Sequence, residues 1–207
     1  NVCIYRLPLK ENIATTGSHC MSCGHGLRWY DLVPLFSWLH LGGKCRYCKA
    51  KISVQYPLIE AMNGIGYVLI FIINDINIDS ILLCLFFSAL VVLSVIDWRT
   101  YEIPIGVNIT ILVLGVLRSA LDYHNIVSHL IGFFCVSAFL LLLILVTGGR
   151  AMGGGDMKLM AAAGLFLGWR NVTLGFFLGC IIGSIIHLLL MKFAHKGRQL
   201  AFGPYLS

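Results

Sequence analysis

The chain has 207 residues, of which 58% are hydrophobic and 12% charged, and its formal net charge is +6. Soluble domains carry roughly 25% charged residues, so this composition, with a mean hydropathy of +0.88, excludes an ordinary soluble domain. It also excludes a disordered, collagen-like or small disulfide-framed chain, and the basic balance needs no nucleic acid, because membrane proteins gather Lys and Arg in short inner loops.

Residues 1–56 are expected to form a polar module, since they hold seven of the 15 Lys and Arg and five of the eight Cys. Within it, Cys20-Met21-Ser22-Cys23 and Cys45-Arg46-Tyr47-Cys48 are two Cys-x-x-Cys pairs separated by 21 residues. Each pair can present two thiolates on a tight knuckle, and two knuckles complete a tetrahedron around zinc. A module of about 50 residues has little core of its own, so bound metal would supply folding energy. A redox dithiol is the competing reading of the same four residues. His19 and His25 flank the first knuckle and are alternative donors, although four thiols already fill a site. Trp29, Tyr30 and Trp38 read as anchors at the membrane interface.

Residues 57–207 are expected to be a polytopic all-α membrane domain. Six apolar runs approach the roughly 20 residues a spanning helix needs: 57–73, 80–96, 103–121, 126–147, 157–168 and 172–191. The run 126–147 contains no Asp, Glu, Lys or Arg. Gly175, Gly179 and Gly183 lie four apart and suggest a close helix–helix seam in the last run. Glu60 heads the first, where a helix dipole favours a carboxylate. With the N-terminal module inside, alternation puts 13 of the 15 Lys and Arg on the inner side, leaving Arg118 and Arg170 outside with Asp75, Asp79 and Asp122. That asymmetry follows the positive-inside rule and predicts a cytoplasmic module.

Ionisable residues at the edge of the bilayer are costly and invite a functional hypothesis. Asp97 closes the second run and Asp156 opens the fifth, after Gly153-Gly154-Gly155. The topology puts both at inner helix ends, so they can converge although 59 positions separate them. The glycines permit close backbone approach by a peptide. Two neighbouring carboxylates share one proton and can act as base and acid on a single water attacking an amide. Against this stands a plain alternative, in which the two aspartates are interfacial residues paired with Arg99 and Lys158.

Taken together, these motifs resemble the type IV prepilin leader peptidases. Carrying the likeness are Asn1-Val2-Cys3-Ile4-Tyr5-Arg6-Leu7-Pro8, the two Cys pairs, and Trp29-Tyr30-Asp31-Leu32-Val33-Pro34. Ser37-Trp38-Leu39, Gly43-Lys44-Cys45-Arg46, Tyr56-Pro57-Leu58-Ile59-Glu60, Asp97 with Ile103-Pro104, Gly153-Gly154-Gly155-Asp156 and Phe202-Gly203-Pro204-Tyr205 follow in order. The resemblance implies an inner-membrane aspartic endopeptidase that removes the leader of prepilins or pseudopilins at the cytoplasmic face, just before the mature first residue. It further implies methylation of the new amino group with S-adenosylmethionine. By the same resemblance Asp97 and Asp156 are the catalytic pair, Cys20, Cys23, Cys45 and Cys48 the metal ligands, and the family's first and last helices lie outside residues 1–207. Met21 and Gln55 depart from the family's usual Pro and Arg without touching either site. A peptidase without methylation, a zinc-containing assembly scaffold and a transporter are the alternatives, and oligomeric state and nucleic acid receive no positive signal.

Overall fold

The computed structural model describes residues 1–8, 12, 17–149, 153–194 and 204. Among these the regular backbone is helical, with strand-like pairing confined to two isolated bridges. Two short helices, α1 (Val2–Arg6) and α2 (Phe36–His40), precede five long ones: α3 (Gln55–Asn74), α4 (Ile78–Thr100), α5 (Ile105–Leu121), α6 (Ile126–Thr147) and α7 (Gly154–Ala194). Helices α3, α4, α6 and α7 are long and apolar enough to cross a membrane, and α5 is a shorter apolar helix. Only 11–33% of each spanning window is buried within the protein. Apolar faces left outward on this scale require hydrocarbon around them, so the chain is an all-helical polytopic membrane protein.

The expected runs reappear with two differences. Helix α4 continues past 96 because Thr100 Oγ1 bonds back to Ile96 O at 3.0 Å and also meets the Glu102 N–H at 3.3 Å. Asp97 therefore lies inside the last turn, with its carbonyl accepting the Tyr101 N–H at 2.8 Å. The last two runs are arms of α7, broken at Gly168, whose φ of 76° and ψ of 166° interrupt the helix. Such a dihedral pair is open to glycine and not to ordinary residues. The Phe202–Tyr205 motif, apart from Pro204, lies outside the described residues, as do Lys10, Arg150, Lys196 and Arg198 of the charge count.

The chain divides into two compact units, Asn1–Ser80 and Ile81–Ser207. In the first, Tyr5 of α1 stacks on Tyr56 with ring centroids 5.4 Å apart, and Asn1 Nδ2 donates to Tyr56 O and Glu60 Oε1. Pro57 falls in the first turn of α3, where its missing N–H costs nothing. Glu60 is not at the head of this helix, since α3 begins at Gln55. Its Oε2 instead accepts the Leu35 N–H at 2.9 Å, fixing a residue at φ 61°. The Trp38 ring covers Gly43 and its indole N–H points to Ile52 O at 3.4 Å. Trp29 is 79% exposed.

In the second unit, the first arm of α7 is enclosed by its neighbours, with Leu159, Met160, Ala162, Ala163, Leu165 and Phe166 all buried. Phe166 stacks on Phe86 of α4 with ring centroids 4.1 Å apart. Helix α5 approaches closely at Gly115, where an added Cβ would lie 3.2 Å from Phe166 N. The tightest crossing joins α6 and α7 at Gly132 and Gly164. Gly175, expected at a seam, faces open space.

Where α7 breaks, side chains of the other helices meet its carbonyls. His129 Nδ1 lies 2.8 Å from Leu165 O, and Arg118 Nη1 donates to Phe166 O at 3.2 Å. His129 Nε2 stands 3.6 Å from Asp122 Oδ2. Hydrogen bonding from Asn125, with His129 and Arg118 adding to it, holds the Asp122 carboxyl below its usual range. A lowered folded-state value means that this anchoring is present at neutral pH and lost as the pH falls through the acidic range. His129→Leu is expected to destabilise the protein by about 1–3 kcal/mol, the cost of a buried carbonyl left unpaired. Thermal unfolding in detergent measures this, and an unchanged midpoint would remove the anchoring role.

Candidate functional site

The cysteine cluster is built from two copies of one backbone design. In the first knuckle, Cys20 N–H bonds His25 O, Gly24 N–H bonds Cys20 O, and Leu27 N–H bonds Ser18 O. In the second, Cys45 N–H bonds Ala50 O, Lys49 N–H bonds Cys45 O, and Ile52 N–H bonds Gly43 O. The bridges His19↔Gly26 and Lys44↔Lys51 follow the same constant offset of 25 residues. Gly24 and Lys49 occupy the equivalent left-handed corner at φ 68° and 60°. Few side chains match at that offset, so the repeat is a property of the backbone and was not visible in the sequence.

The knuckles bring the sulfurs of Cys20, Cys23, Cys45 and Cys48 within 4.8 Å of one another, with Cys20 and Cys48 Sγ 3.8 Å apart. A tetrahedral zinc with Zn–S bonds near 2.3 Å sets its sulfurs about 3.8 Å apart, so the donor set fits. Backbone hydrogen bonds from Cys23 and Ser22 lower the Cys20 thiol to about 6. At Cys48 a hydrogen bond from Ala50 pulls the thiol down, but desolvation and the three neighbouring cysteines outweigh it and push the thiol up to about 11. Four sulfurs this close resist ionising together, and a divalent cation relieves that repulsion. His19 Nδ1 lies 3.2 Å from Gly17 O, and His25 stacks on Tyr47, so the four-donor cluster is made of thiols alone. Asp31, which sequence reasoning gave no role, pairs with Arg46 Nε at 2.8 Å and ties the Trp29–Asp31 turn to the second knuckle. Arg46 also lies over the Tyr30 ring, 5.0 Å from its centroid.

The carboxylate pair lies wholly in the second unit. Asp97, in the last turn of α4, is 4% exposed, and Asp156, the third residue of α7, is half-buried. They are close enough for their charges to act on one another. Gly153 N–H donates to the Asp156 carboxylate, an acid reaching back to the start of its own helix as in a capping box. Gly155 packs on Ile103 of the α4–α5 connection, where an added Cβ would lie 3.2 Å from Ile103 Cβ. Gly154 is exposed with open space beside it. Thus a buried carboxylate at the end of α4 and a more accessible one at the start of α7 lie within electrostatic reach of one another, the second beside backbone that a side chain does not shield.

These features define a polytopic membrane protein with a paired-carboxylate site and a four-cysteine module. The profile described as Bacterial Peptidase A24 N-terminal domain matches residues 1–73, and that of the Type IV leader peptidase family matches residues 84–188. The prepilin leader peptidase/N-methyltransferase of Aeromonas salmonicida (strain A449) is 30% identical over 205 residues, covering 96% of this chain and 70% of the relative. Those of Stutzerimonas stutzeri and Pseudomonas aeruginosa are each 32% identical, covering 95% of this chain and 70% of the relative. No solved structure gives a significant match. The chain belongs to the type IV leader peptidase family and is a multi-pass protein of the inner membrane.

Proposed function

We propose that this enzyme removes the basic leader from type IV prepilins or pseudopilins and methylates the newly exposed amino group. The observation that supports the peptidase half is that Asp97 and Asp156, from helices far apart in sequence, lie within electrostatic reach of one another. In this reading the pair holds one proton and one water between its carboxyl groups. The ionised carboxylate takes a proton from the water as its oxygen bonds to the scissile carbonyl carbon. The protonated carboxyl gives its proton to the carbonyl oxygen. Collapse of the tetrahedral intermediate breaks the C–N bond: the departing amine takes a proton from one carboxyl while the other carboxylate takes one from a hydroxyl of the intermediate, so the pair again holds a single proton. Exposed Gly154 leaves room for the substrate backbone to lie alongside.

The orientation proposed is a cytoplasmic N-terminal module, with the carboxylates at the inner side, which agrees with the distribution of Lys and Arg. Cys20, Cys23, Cys45 and Cys48 would hold one zinc ion, which supplies folding energy to the module when bound. One zinc per chain is expected by elemental analysis. Cys45→Ser should lower occupancy at least tenfold and expose residues 17–53 to protease; full occupancy and protection in that variant would remove the metal assignment. The methyl donor proposed is S-adenosylmethionine, in keeping with the relatives' methyltransferase name.

The deciding experiment incubates the detergent-solubilised chain with a synthetic peptide carrying a Lys/Arg-rich leader, a scissile bond before Phe and an apolar helix. Mass spectrometry with and without S-adenosylmethionine is expected to show the leaderless product, and that product with one added methyl group. Product without the methyl leaves a peptidase alone, and no cleavage overturns the proposal.

A further inference from the structure

Residues 32–43 contain no Asp, Glu, Lys or Arg, yet much of this stretch lies on the surface of the first unit. Leu32, Val33, Phe36 and Leu39 are exposed, Phe36 at 74% and Leu39 at 67%, and Trp29 just before them is more exposed still. Phe36 and Leu39 stand three apart in α2 and so share one face of it, while the half-buried Trp38 turns onto Gly43. Single apolar residues on a surface are ordinary. Five large ones gathered between Trp29 and Leu39 mark an interaction surface.

Two hydrogen bonds fix the level at which this surface stands. Glu60, the sixth residue of α3, holds the Leu35 N–H at 2.9 Å, and the Trp38 indole reaches Ile52 O, three residues before α3 begins. The segment therefore lies beside the first two turns of α3. That helix has 20 residues, about 30 Å at 1.5 Å per residue, which matches the hydrocarbon layer of a bilayer. Its first turns thus occupy the boundary between headgroups and acyl chains, where Val54, Leu58 and Met62 are also exposed. A leucine at the φ of 61° found for Leu35 is uncommon, and such a conformation persists only where its surroundings impose it. Here the Glu60 carboxylate does so.

Charge points the same way. Arg28 and Lys44 flank the segment in the chain and are exposed, as are Lys49 and Lys51. The one carboxylate of residues 17–53, Asp31, has a side chain only 2% exposed and is paired with Arg46. A short apolar face with tryptophan at its edge and cations beside it suits the interface of an anionic bilayer.

We propose that residues 29–39 are embedded in the headgroup boundary of the leaflet in which α3 begins. Trp29, Leu32, Phe36 and Leu39 enter the margin of the acyl chains, and Arg28 and Lys44 meet anionic headgroups. The cysteine cluster, tied to this segment through Asp31 and Arg46, is thereby held against the membrane surface. Nothing in this arrangement depends on the carboxylate chemistry.

The test places Phe36→benzoylphenylalanine in the whole chain, in phosphatidylcholine nanodiscs with and without phosphatidylglycerol. Irradiation is expected to add phospholipid to the peptide containing position 36, with a yield approaching that of the same label at Ile65, an exposed residue midway along α3. Leu39→Asp should lower the yield at position 36 about fivefold, because a carboxylate on that face is driven out of the acyl region. Both side chains are exposed, so the thermal midpoint in detergent should stay that of the parent and separate lost membrane contact from misfolding. Omitting phosphatidylglycerol should lower the yield about twofold; an equal yield would overturn the headgroup contacts of Arg28 and Lys44. Adducts at position 36 confined to polypeptide, of this chain or of a second copy, would overturn the proposal. So would labelling at position 65 with none at 36, or a yield at 36 that Leu39→Asp leaves unchanged.

Discussion

Asp97→Asn and Asp156→Asn are each expected to slow leader removal about a thousandfold, within the range of a lost general acid or base. The double variant should be little worse than either single one, because in the proposed mechanism the two groups act as a unit on one water and the effects of such groups do not add. Asparagine is nearly isosteric with aspartate, so Asp97, at 4% exposure, can change without opening a cavity. At position 156 the asparagine oxygen can still accept the Gly153 N–H that the native carboxylate accepts. Thermal midpoints should therefore stay within a few degrees of the parent. Near-normal cleavage in both variants would assign the chemistry elsewhere and revive the scaffold reading. A collapse of stability in Asp97→Asn would instead mark that carboxylate as a structural charge.

Much of the architecture could be read from the chain because lipid imposes a simple rule, that every span be long, apolar and helical. The run 126–147 coincides with α6 to the residue, and the interruption between the last two runs coincides with the break at Gly168. The four thiols were legible through their spacing, since a metal tetrahedron dictates residue type as well as separation. What escaped depends on atoms that sequence pattern does not encode. The duplicated knuckle is a pattern of backbone hydrogen bonds, free to carry Gly24 in one copy and Lys49 in the other. Glu60 was read through the helix dipole, whereas its partner is the Leu35 N–H, 25 positions away. His129 and Arg118 acquire their role only because α7 breaks between them and presents carbonyls to their side chains. Asn108 is one polar residue in an apolar run, and only the neighbouring helices reveal that its oxygen is shut in without a donor.

Gly164→Val is expected to be the most destabilising single substitution in the second unit, by roughly 3 kcal/mol or more. A Cβ on Gly164 would overlap the Gly132 carbonyl oxygen and stand 2.6 Å from its carbon. Reciprocally, a Cβ on Gly132 would overlap the Gly164 carbonyl oxygen and stand 2.8 Å from Gly168 C and 2.9 Å from Trp169 N. Every one of these contacts is with backbone, so no rotamer change relieves them and the helices themselves must part. In a membrane, close backbone packing at small residues is a main source of helix association, and separation here would also stretch the His129–Leu165 contact just beyond the crossing. Asp156 lies eight residues before Gly164 on the same helix, about 12 Å along its axis. A displacement that spares the fold should therefore still misplace the carboxylate and lower kcat. Gly164→Ala should show the same effects in weaker form. Gly175→Ala is the control, because nothing lies within 4 Å of the added methyl and a helical alanine replaces a glycine. Its midpoint should equal or exceed the parent's, while a Gly164→Val protein of normal midpoint and activity would show that α6 and α7 do not cross at these glycines.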